Sequence, residues 1–431
     1  MQKVRKVLLI VENVSVTSDP RVWSEATTLR DAGCLVSVIC PKGTKQREDK
    51  ESYSCIEDIH IYRYRLPEIH RAYLSHILEY SVALVMSFLL SIKVWFRHGF
   101  DVIHVANPPD MFFLIGLFYR CFRKKFVYDQ HDLTPELFQV IFNKQVKPLH
   151  RFLRLLERCS YQTAHLVITT NTSFQRFAIE RGRCPAEKVF VVRNGPDLKL
   201  IESVPQTTEL PFPGMRRYVL AYIGVMGKQD GVEYILYALH DLVYKRGRQD
   251  ISALLMGDGS ITVDLRNLAH ELKLDEYIVF TGWLEKRKAL SYLAAADVGL
   301  IPDPKNGLNE YCTMIKAMEY MAMGLPIVSF DLKETHFSAR QSALYAKPNE
   351  VEDFANAIET LLENETLRKS MAEYGQKRIA DVLSWEHSRK NLLAAYETLF
   401  PGISVIAPAD AVIEPPLNYD YAAAFNSTRP E

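Results

Sequence analysis

Residues 218–236 read YVLAYIGVMGKQDGVEYIL, and this stretch decides the fold class. Its first six residues form an apolar run of strand length, and a helical pattern begins at Val232. The loop between them contains glycines at positions 224, 227 and 231. A buried strand that passes through a glycine-containing turn into a helix is the repeating unit of a parallel α/β sheet.

The same unit recurs along most of the chain. Predicted strands occupy residues 6–11, 35–40, 101–105, 125–129, 165–169 and 189–192 in the first half, and 218–223, 251–256, 278–280, 298–301 and 327–330 in the second. Because helices between parallel strands cover both faces of a sheet, each half is expected to form a doubly wound, Rossmann-like domain. The predicted fold class is α/β, with two parallel-sheet domains that face each other across a cleft.

Prolines mark the boundary between the two halves. Residues 201–216 contain Pro205, Pro211 and Pro213 and are predicted to link a domain over 1–200 to a domain over 217–384. The helical stretch 385–400 is expected to pack back on the first domain. Residues 401–431 are rich in proline, alanine and small polar residues and are expected to form a flexible tail.

Composition excludes several classes of protein. The 52 basic and 52 acidic side chains give a net charge of zero, which argues against a protein that coats nucleic acid. The seven cysteines form no C-x-x-C pair and no zinc-site spacing, as is typical of reduced thiols in a cytosolic protein. The longest uncharged apolar stretch, Ser81–Ile92, is shorter than the roughly 18 residues that span a bilayer. The chain is expected to be soluble or to lie on a membrane.

Two glycine loops follow predicted strands of the second half. The first contains Gly224, Gly227, Lys228, Gln229 and Asp230, and the second contains Gly257, Asp258 and Gly259. Glycines allow a backbone to approach phosphate oxygens closely, and a helix start offers unpaired amides to an anion. Ordinary strand-to-helix turns are the alternative for both loops. The second loop lacks the third glycine of a dinucleotide-binding motif.

The most informative segment runs from Thr313 to Pro326. Thr313 suits a helix N-cap, Gly324 suits the position after the helix, and Ile315, Met318 and Ala322 are expected to pack inward. Lys316 and Glu319 lie three residues apart and are expected to be neighbours on one face. A carboxylate can accept both hydroxyls of a ribose, and a lysine can face a diphosphate. The alternative is an exposed ion pair.

The order and spacing of these segments resemble the retaining glycosyltransferases of family 4, the group 1 glycosyltransferases, which have the GT-B fold. The matching pieces are residues 18–22 (SDPRV), 129–136 (DQHDLTPE), 193–195 (RNG), 222–231, 256–259 (MGDG), 280–283 (FTGW), 296–298 (ADV) and 316–328 (KAMEYMAMGLPIV). Together they cover roughly residues 5–400, and it is their shared order that carries the resemblance.

The resemblance assigns roles on the donor side. Glu319 matches the glutamate that holds the nucleotide ribose, and Trp283 lies where backbone groups meet the nucleobase. Tyr311 occupies the place of a glutamate that usually contacts the donor sugar, so the chain departs from the full motif there. Arginine and lysine are common in the first glycine loop, but Val225 and Asp230 occupy those places here. Lys228 and Lys316 are therefore expected to supply the positive charge.

The resemblance also assigns roles near the acceptor. His131 matches a histidine close to the donor sugar and the acceptor, with Asp132 and Glu136 beside it and Asp19 and Arg21 on the same side. A histidine after a strand is otherwise a common hydrogen-bonding core residue. No D-x-D motif occurs, so no metal and no other cofactor is expected. The family's retention of configuration is usually explained by attack on the face that the leaving phosphate vacates.

The resemblance implies transfer of a sugar from a nucleotide-diphosphate donor to a glycan or lipid-linked glycan, in bacterial surface polysaccharide assembly. Residues 143–158 combine basic and apolar side chains, and residues 81–96 add an apolar helix. They are candidates for membrane-surface contact, and a packed helix with a solvated basic side is the alternative. The expected location is the cytoplasm, or the inner face of the plasma membrane. Two other hypotheses are a nucleotide-sugar epimerase of the same architecture and a catalytically silent module that binds glycan.

Overall fold

Two parallel sheets, each covered by helices, form the core of the molecule. A computed structural model describes residues 4–43, 50–66, 73–142, 146–205, 212, 214 and 216–400. The predicted tail over 401–431 and half of the predicted linker over 201–216 lie outside these ranges. The two-domain α/β prediction is confirmed.

The first sheet has eight strands. These are β1 Lys6–Ile10, β2 Leu35–Pro41, β3 Tyr53–Ile56, β4 Ile59–Tyr64, β5 Val102–Ala106, β6 Lys125–Gln130, β7 Leu166–Thr169 and β8 Val189–Val191. Their spatial order is β3-β4-β2-β1-β5-β6-β7-β8, and only the β3–β4 pair is antiparallel. From β1 the next strands are added on one side of the sheet, and from β5 onward they are added on the other side, so the topological switch point lies between the parallel strands β1 and β5.

The second sheet has six parallel strands. These are β9 Tyr218–Ile223, β10 Ile251–Met256, β11 Ile278–Gly282, β12 Val298–Ile301, β13 Ile327–Phe330 and β14 Ala343–Ala346. Their order, β11-β10-β9-β12-β13-β14, is the Rossmann order with its switch point between β9 and β12. The carboxyl ends of β9 and β12 are therefore where a ligand is expected.

Helices cover both faces of each sheet. The helices of the first half are α1 Pro20–Asp31, α2 Tyr73–Arg97, α3 Phe113–Arg120, α4 Thr134–Phe142, α5 Lys147–Thr163, α6 Thr172–Arg176 and α7 Leu198–Glu202. Those of the second half are α8 Glu233–His240, α9 Thr262–Glu271, α10 Lys286–Leu293, α11 Ile315–Ala322, α12 Lys333–Ala339, α13 Val351–Glu363, α14 Glu365–Arg378 and α15 Trp385–Leu399. Alternate residues of β1 face opposite layers, with Leu9 on the α1 side and Leu8 on the α2 side.

Helix α15 lies against the first domain although it follows the second in sequence. The Trp385 indole nitrogen donates to Thr28 Oγ1 of α1 at 3.1 Å. Leu392 and Tyr396 are fully buried in the same cluster as Leu9. The last helix therefore completes the core of the N-terminal domain.

The start of the predicted linker belongs to the second domain. Helix α7 is followed by Val204, and both Ile201 and Val204 are buried in the core around β9. Residues 201–204 are therefore packed against the second domain and do not form a free connection, because Ile201 and Val204 bury their apolar side chains there.

Helix α2 departs from the expectation that no stretch is long enough to cross a membrane. Its residues Leu78–Arg97 pass a length and composition test for a membrane span, with a mean hydropathy of 1.5. The sequence analysis ended the apolar stretch at Lys93. The segment Leu78–Arg97 nevertheless remains apolar enough to cross a membrane, because it has only one lysine and one arginine near its end. One side of the helix packs on the sheet through Ala83, Ser87, Ser91 and Val94.

Candidate active site

The N-terminal half of the site is a buried charge network at the carboxyl end of β6. Asp129 is the penultimate residue of the strand, and its two oxygens accept from Arg21 Nη2 at 2.8 Å and Nε at 3.1 Å. His131 Nε2 lies 2.5 Å from Asp129 Oδ2. Arg21 Nη1 also donates to the Val192 carbonyl at 2.7 Å. Arg21 is 6% exposed and supports this network, so it does not face an acceptor as expected.

The network fixes the orientation of the His131 ring. Burial alone would raise the pKa of Asp129, but the charges of Arg21 and then His131 outweigh it and hold the pKa well below its usual range. His131 Nε2 lies 2.5 Å from Asp129 Oδ2 and 3.0 Å from Arg21 Nε, so both contacts hold the same side of the ring, and Nδ1 is the ring nitrogen outside them. The side chain of His131 keeps 14% exposure. A histidine held in this way can accept a proton or a hydrogen bond from a sugar hydroxyl.

Two other predicted acceptor-side residues have structural partners. Asp19 is the N-cap of α1 and accepts from the amides of Arg21 and Val22 at 3.1 Å each. Glu136 accepts from Arg181 Nη1 at 2.6 Å. These contacts engage both carboxylates within the protein. This corrects the expectation that Asp19 and Glu136 face the acceptor. Asp132 stays next to His131 in the loop, and burial raises the pKa of its carboxyl.

A buried group of Glu25, His104 and Asp129 has the geometry of a possible metal site. Ligand atoms of the three residues lie within 4.8 Å of one another. Arg21 Nη2, however, lies 3.2 Å from Glu25 and 2.8 Å from Asp129. A cation there would sit beside a guanidinium, and burial followed by the charge of Asp129 raises the pKa of Glu25 well above its usual range. This group suits a proton and an arginine better than a metal ion.

Close backbone packing explains the two glycine loops on the opposite side. Gly257 has φ +139°, and a Cβ there would lie 1.8 Å from the Gly224 carbonyl oxygen. A Cβ at Gly259 would lie 2.4 Å from the Met226 carbonyl oxygen. The second loop, with its exposed Asp258, therefore supports the first by direct contact, and packing alone accounts for its two glycines.

The first glycine loop is a compact turn. The Gly227 amide donates to Asp230 Oδ2 at 3.0 Å, and the carbonyl of Gln229 accepts from Asn309 Nδ2 at 2.8 Å. Lys228 is exposed at the tip of the turn. Lys228 is therefore positioned as a mobile cation, while Asp230 has a structural role in closing the loop.

Helix α11 begins one residue later than expected. Its N-cap is Met314, and no side chain caps it. Thr313 instead accepts a hydrogen bond from Asn171 Nδ2 at 3.0 Å, so its hydroxyl serves the contact between domains. Ile315 is 44% exposed, contrary to the predicted inward stripe. A helix N-terminus without a side-chain cap keeps amides available to an anion.

Lys316 lies in a buried acidic pair that the sequence did not predict. Its ammonium donates to Asp303 Oδ1 and Oδ2 at 3.1 and 2.9 Å, and Asp230 Oδ1 is 4.0 Å away. Burial alone would lower the pKa of Lys316, but Asp303 and Asp230 outweigh it and raise the pKa. Burial raises the pKa of Asp230 to about 7 against the opposing charge of Lys316. Lys316 is charged, yet much of its charge is compensated.

Glu319 is also paired, but with a different lysine. Its Oε1 accepts from the ammonium of Lys286, which begins α10. The side chain of Glu319 is 9% exposed and that of Lys286 is 39% exposed. Lys316 and Glu319 share a helix, but each has its own partner, so the alternative of an exposed ion pair between them does not form. Lys286 restrains the carboxylate that is expected to accept the ribose hydroxyls.

Tyr311 lies at the contact between the domains. Its ring meets Phe177 edge-to-face at 5.0 Å, and its carbonyl accepts from Asn171 Nδ2 at 2.9 Å. Phe177 and Asn171 belong to the N-terminal domain, so Tyr311 joins the two halves, contrary to its predicted place beside the donor. Trp283 is 44% exposed just after β11.

Comparisons with known proteins identify the family. Residues 21–200 match Glycosyltransferase Family 4, and residues 217–364 match Glycosyl transferases group 1. The chain belongs to the group 1 glycosyltransferases. An uncharacterized glycosyltransferase of Methanocaldococcus jannaschii is 21% identical over 83% of this chain and 93% of its own length.

Solved structures share the fold of this glycosyltransferase. HepE of Anabaena in complex with UDP-glucose has a TM-score of 0.65 at 16% identity, over 91% of this chain and 99% of that one. WaaG, described as a glycosyltransferase involved in lipopolysaccharide biosynthesis, also has a TM-score of 0.65 at 16% identity, over 92% of this chain and 100% of that one. At this identity the likeness shows the GT-B fold alone.

Several functional partners escaped sequence reasoning. Asp303 lies two residues after β12 and Asn171 two residues after β7, so the place of each near the carboxyl end of a strand was a usable signal. Lys286 had no comparable signal, because its importance depends on a contact with a segment distant in sequence. Asp129 stood in the quoted DQHDLTPE motif, but its role as the anchor of His131 appears only with the Arg21 geometry.

Proposed function

We propose that this glycosyltransferase transfers a hexosyl group from a nucleotide-diphosphate sugar, with retention of configuration. The observation that carries the proposal is the environment of α11, where Glu319 is held by Lys286 beside an uncapped helix N-terminus. Such an N-terminus favours a diphosphate, and an oriented carboxylate favours a ribose diol. The complex of HepE with UDP-glucose supports this class of donor.

The mechanism follows from charge. Cleavage of the sugar–phosphate bond leaves negative charge on the diphosphate, which the amides of α11 and the ammonium groups of Lys316 and Lys228 would stabilise. His131, oriented by Asp129, would accept a hydrogen bond from a hydroxyl of the transferred sugar. The leaving phosphate would accept the acceptor's proton on the face it vacates. No metal or other cofactor is proposed, since Arg21 already compensates the charge of Asp129.

The acceptor is proposed to be a lipid-linked glycan at the inner face of the plasma membrane. Helix α2 exposes Leu78, Val85, Leu89 and Phe96 in a single stripe, since their spacings of 7, 4 and 7 residues fall on one helix face. Helix α3 extends the stripe, because Phe118 touches Phe88 with ring centroids 5.0 Å apart. This surface is called the α2–α3 face below.

The charge of the α2–α3 face also supports contact with a membrane. Residues 80–98 and 113–125 contain no aspartate or glutamate but include Lys93, Arg97, Arg120 and Arg123. An apolar stripe flanked by cations suits an anionic bilayer. A role in bacterial surface polysaccharide assembly is proposed on this basis, and the description of WaaG supports it.

A donor screen tests the proposal. We expect a UDP-, GDP- or ADP-sugar to raise the melting temperature of the protein, because a ligand that binds only the folded state stabilises it. Glu319→Ala is expected to weaken the binding of that nucleotide at least tenfold, whereas Glu373→Ala, at an exposed position of α14, serves as the control. Nucleotide binding that is unchanged in Glu319→Ala would contradict the proposed site. Isomerised donor without an acceptor would indicate an epimerase.

A further inference from the structure

An apolar cavity of about 330 Å³ lies between α4 and α5. Phe138, Phe142, Leu149 and Leu153 form its apolar wall. Its polar groups include Gln139 and His150, which bond each other, with Gln139 Nε2 2.9 Å from His150 Nδ1. A cavity of this size and lining is typical of a site for an apolar ligand.

The cavity begins next to the catalytic loop. Helix α4 starts at Thr134, three residues after His131, and Pro135 of its first turn is part of the cavity wall. The side chain of Asn107 ties the two together, accepting from the His131 amide at 2.6 Å and donating to Thr134 Oγ1 at 3.2 Å. A nine-residue helix is about 13 Å long. One elongated ligand can therefore reach from His131 into the cavity.

The outer side of α5 is cationic. Arg151, Arg154 and Arg158 are exposed, and the only acid among residues 146–163 is Glu157. Glu157 is buried and bonded to Arg181, so it does not neutralise the exposed arginines. The three arginines are not among the residues that line the cavity, so they would attract an anionic group held outside it, next to α5, while a neutral soluble sugar would gain nothing from the apolar wall.

We propose that this cavity, here called the α4–α5 cavity, holds the hydrocarbon chain of a phosphate-bearing lipid acceptor. The chain lies against Phe138, Phe142 and Leu153, the phosphate faces the arginines of α5, and the sugar end reaches His131. This inference rests on the proposed function and names the acceptor's class: an anionic amphiphile with one apolar chain next to its head group.

Binding of alkyl phosphates tests the inference on the full-length protein. Octyl, decyl and dodecyl phosphate are titrated calorimetrically below the concentrations at which they form micelles, with inorganic phosphate as the chainless reference. Affinity is expected to rise about fourfold for each methylene that becomes buried, until the cavity is full. Inorganic phosphate is expected to give no measurable binding at the same concentrations.

Two substitutions on one helix locate the binding. Leu149→Trp places a larger side chain in the cavity and is expected to weaken the binding of dodecyl phosphate at least tenfold. Leu155→Trp, on the exposed side of α5, is the matched control and should bind within twofold of wild type. Phe142→Trp fills the cavity from the opposite helix and replaces Leu149→Trp if that variant melts early.

The outcomes separate this inference from the proposed function. Affinity that does not depend on chain length, or wild-type binding by both filled variants, would overturn the cavity assignment. Thermal stabilisation by the nucleotide found in the donor screen reports on the donor site in the same samples. Retained nucleotide binding with failed alkyl phosphate binding therefore refutes the acceptor site alone.

Discussion

The main candidate site residues, Lys316, Glu319 and His131, are each held by a charged partner. Lys316 looks like a free phosphate-binding cation in the sequence, but Asp303 at 2.9 Å and Asp230 at 4.0 Å compensate it. In the proposed complex, the strength of its interaction with the donor diphosphate would therefore depend on whether Asp230 carries a proton. This makes an aspartate in the first glycine loop a determinant of donor affinity.

The protonation of Asp230 predicts a pH dependence. Burial raises the pKa of Asp230 to about 7, with Lys316 opposing the shift, and a nearby diphosphate would raise that pKa further. Binding then takes up a proton, so donor affinity should increase several-fold as the pH falls from 8.5 to 6.5. Calorimetry with the nucleotide-sugar from the donor screen measures the effect. Asp230→Asn should bind with little change over this range, and an equally steep slope in that variant would assign the proton elsewhere.

At the residue scale the sequence predicted the groups but not their partners. Glu319, Lys316 and His131 were identified because their motifs stand in a recurring order. Their counterparts Lys286, Asp303 and Asp129 act through geometry that no local pattern encodes. Thr313 was misassigned for the same reason: a threonine before a helix is normally its cap, but Asn171 of the other domain takes the hydroxyl.

Among the elements, α15 contributes most to the site without touching substrate. The hydroxyl of Tyr396 lies 2.8 Å from His104 Nδ1, and His104 Nε2 lies 3.6 Å from Asp129 Oδ2. The last helix thus contacts the charge network around His131 through the pair of Tyr396 and His104.

Removing that support should destabilise the protein. Tyr396→Phe deletes one hydroxyl and leaves the buried His104 nitrogen without its partner, at an expected cost of about 1–3 kcal/mol in the free energy of unfolding. Urea denaturation measures the change. Tyr237→Phe, at a 42% exposed tyrosine, should stay within about 0.5 kcal/mol of wild type. Equal effects in the two variants would show that the His104 bond contributes nothing specific.

The α2–α3 face allows a second prediction at this scale. Phe96→Glu combined with Phe118→Glu places two acids in the stripe and should reduce binding to vesicles rich in anionic phospholipid at least tenfold, as measured by co-sedimentation. Phe96 is 83% exposed and Phe118 41% exposed, so neither change empties a core. Val263→Glu, at a 70% exposed position of the other domain, is the control. Salt should weaken wild-type binding, because the cations contribute.

Strands with continuous apolar runs were predicted well, and irregular ones were not. The sequence analysis did not identify the strands β3, β4 and β14. β3 has no fully buried residue, β14 is buried only at its two end residues, and β4 is buried but has His60 and Arg63 among its apolar residues. None of the three therefore shows the continuous buried apolar run that marks a central parallel strand. The exposed stripe of α2 was recognised as apolar, but its length was underestimated.

At the scale of the molecule, a small set of contacts joins the domains. Ser173 Oγ donates to Glu334 Oε1 at 2.5 Å, and Arg193 Nη1 lies 3.8 Å from Glu334 Oε2. Together with Asn171 and Tyr311, these groups set how the two sheet edges face each other. The sequence predicted that the edges would meet but contained no signal for which side chains hold them.

Glu334→Ala should loosen that arrangement. Its carboxylate is buried, so its loss leaves Ser173 without an acceptor and is expected to lower the free energy of unfolding by about 1–3 kcal/mol. Glu334→Gln keeps an acceptor for Ser173 and should recover part of the loss. The expected result is a change from one urea-induced unfolding transition toward two. The fluorescence of both domains is used to monitor the transitions. A single transition at the wild-type midpoint would mean that other contacts dominate.

The return of α15 to the first domain has a consequence for biosynthesis. The N-terminal sheet cannot complete the layer that contains Leu392 and Tyr396 until nearly the whole chain has left the ribosome, whereas the second domain can close its core earlier. Gly195 meets the backbone of Leu383–Trp385 with no space for a Cβ, so the outgoing and returning segments lie side by side. A truncation before residue 385 would therefore release a nascent first domain with an open flank, ready to be captured by chaperones or degraded.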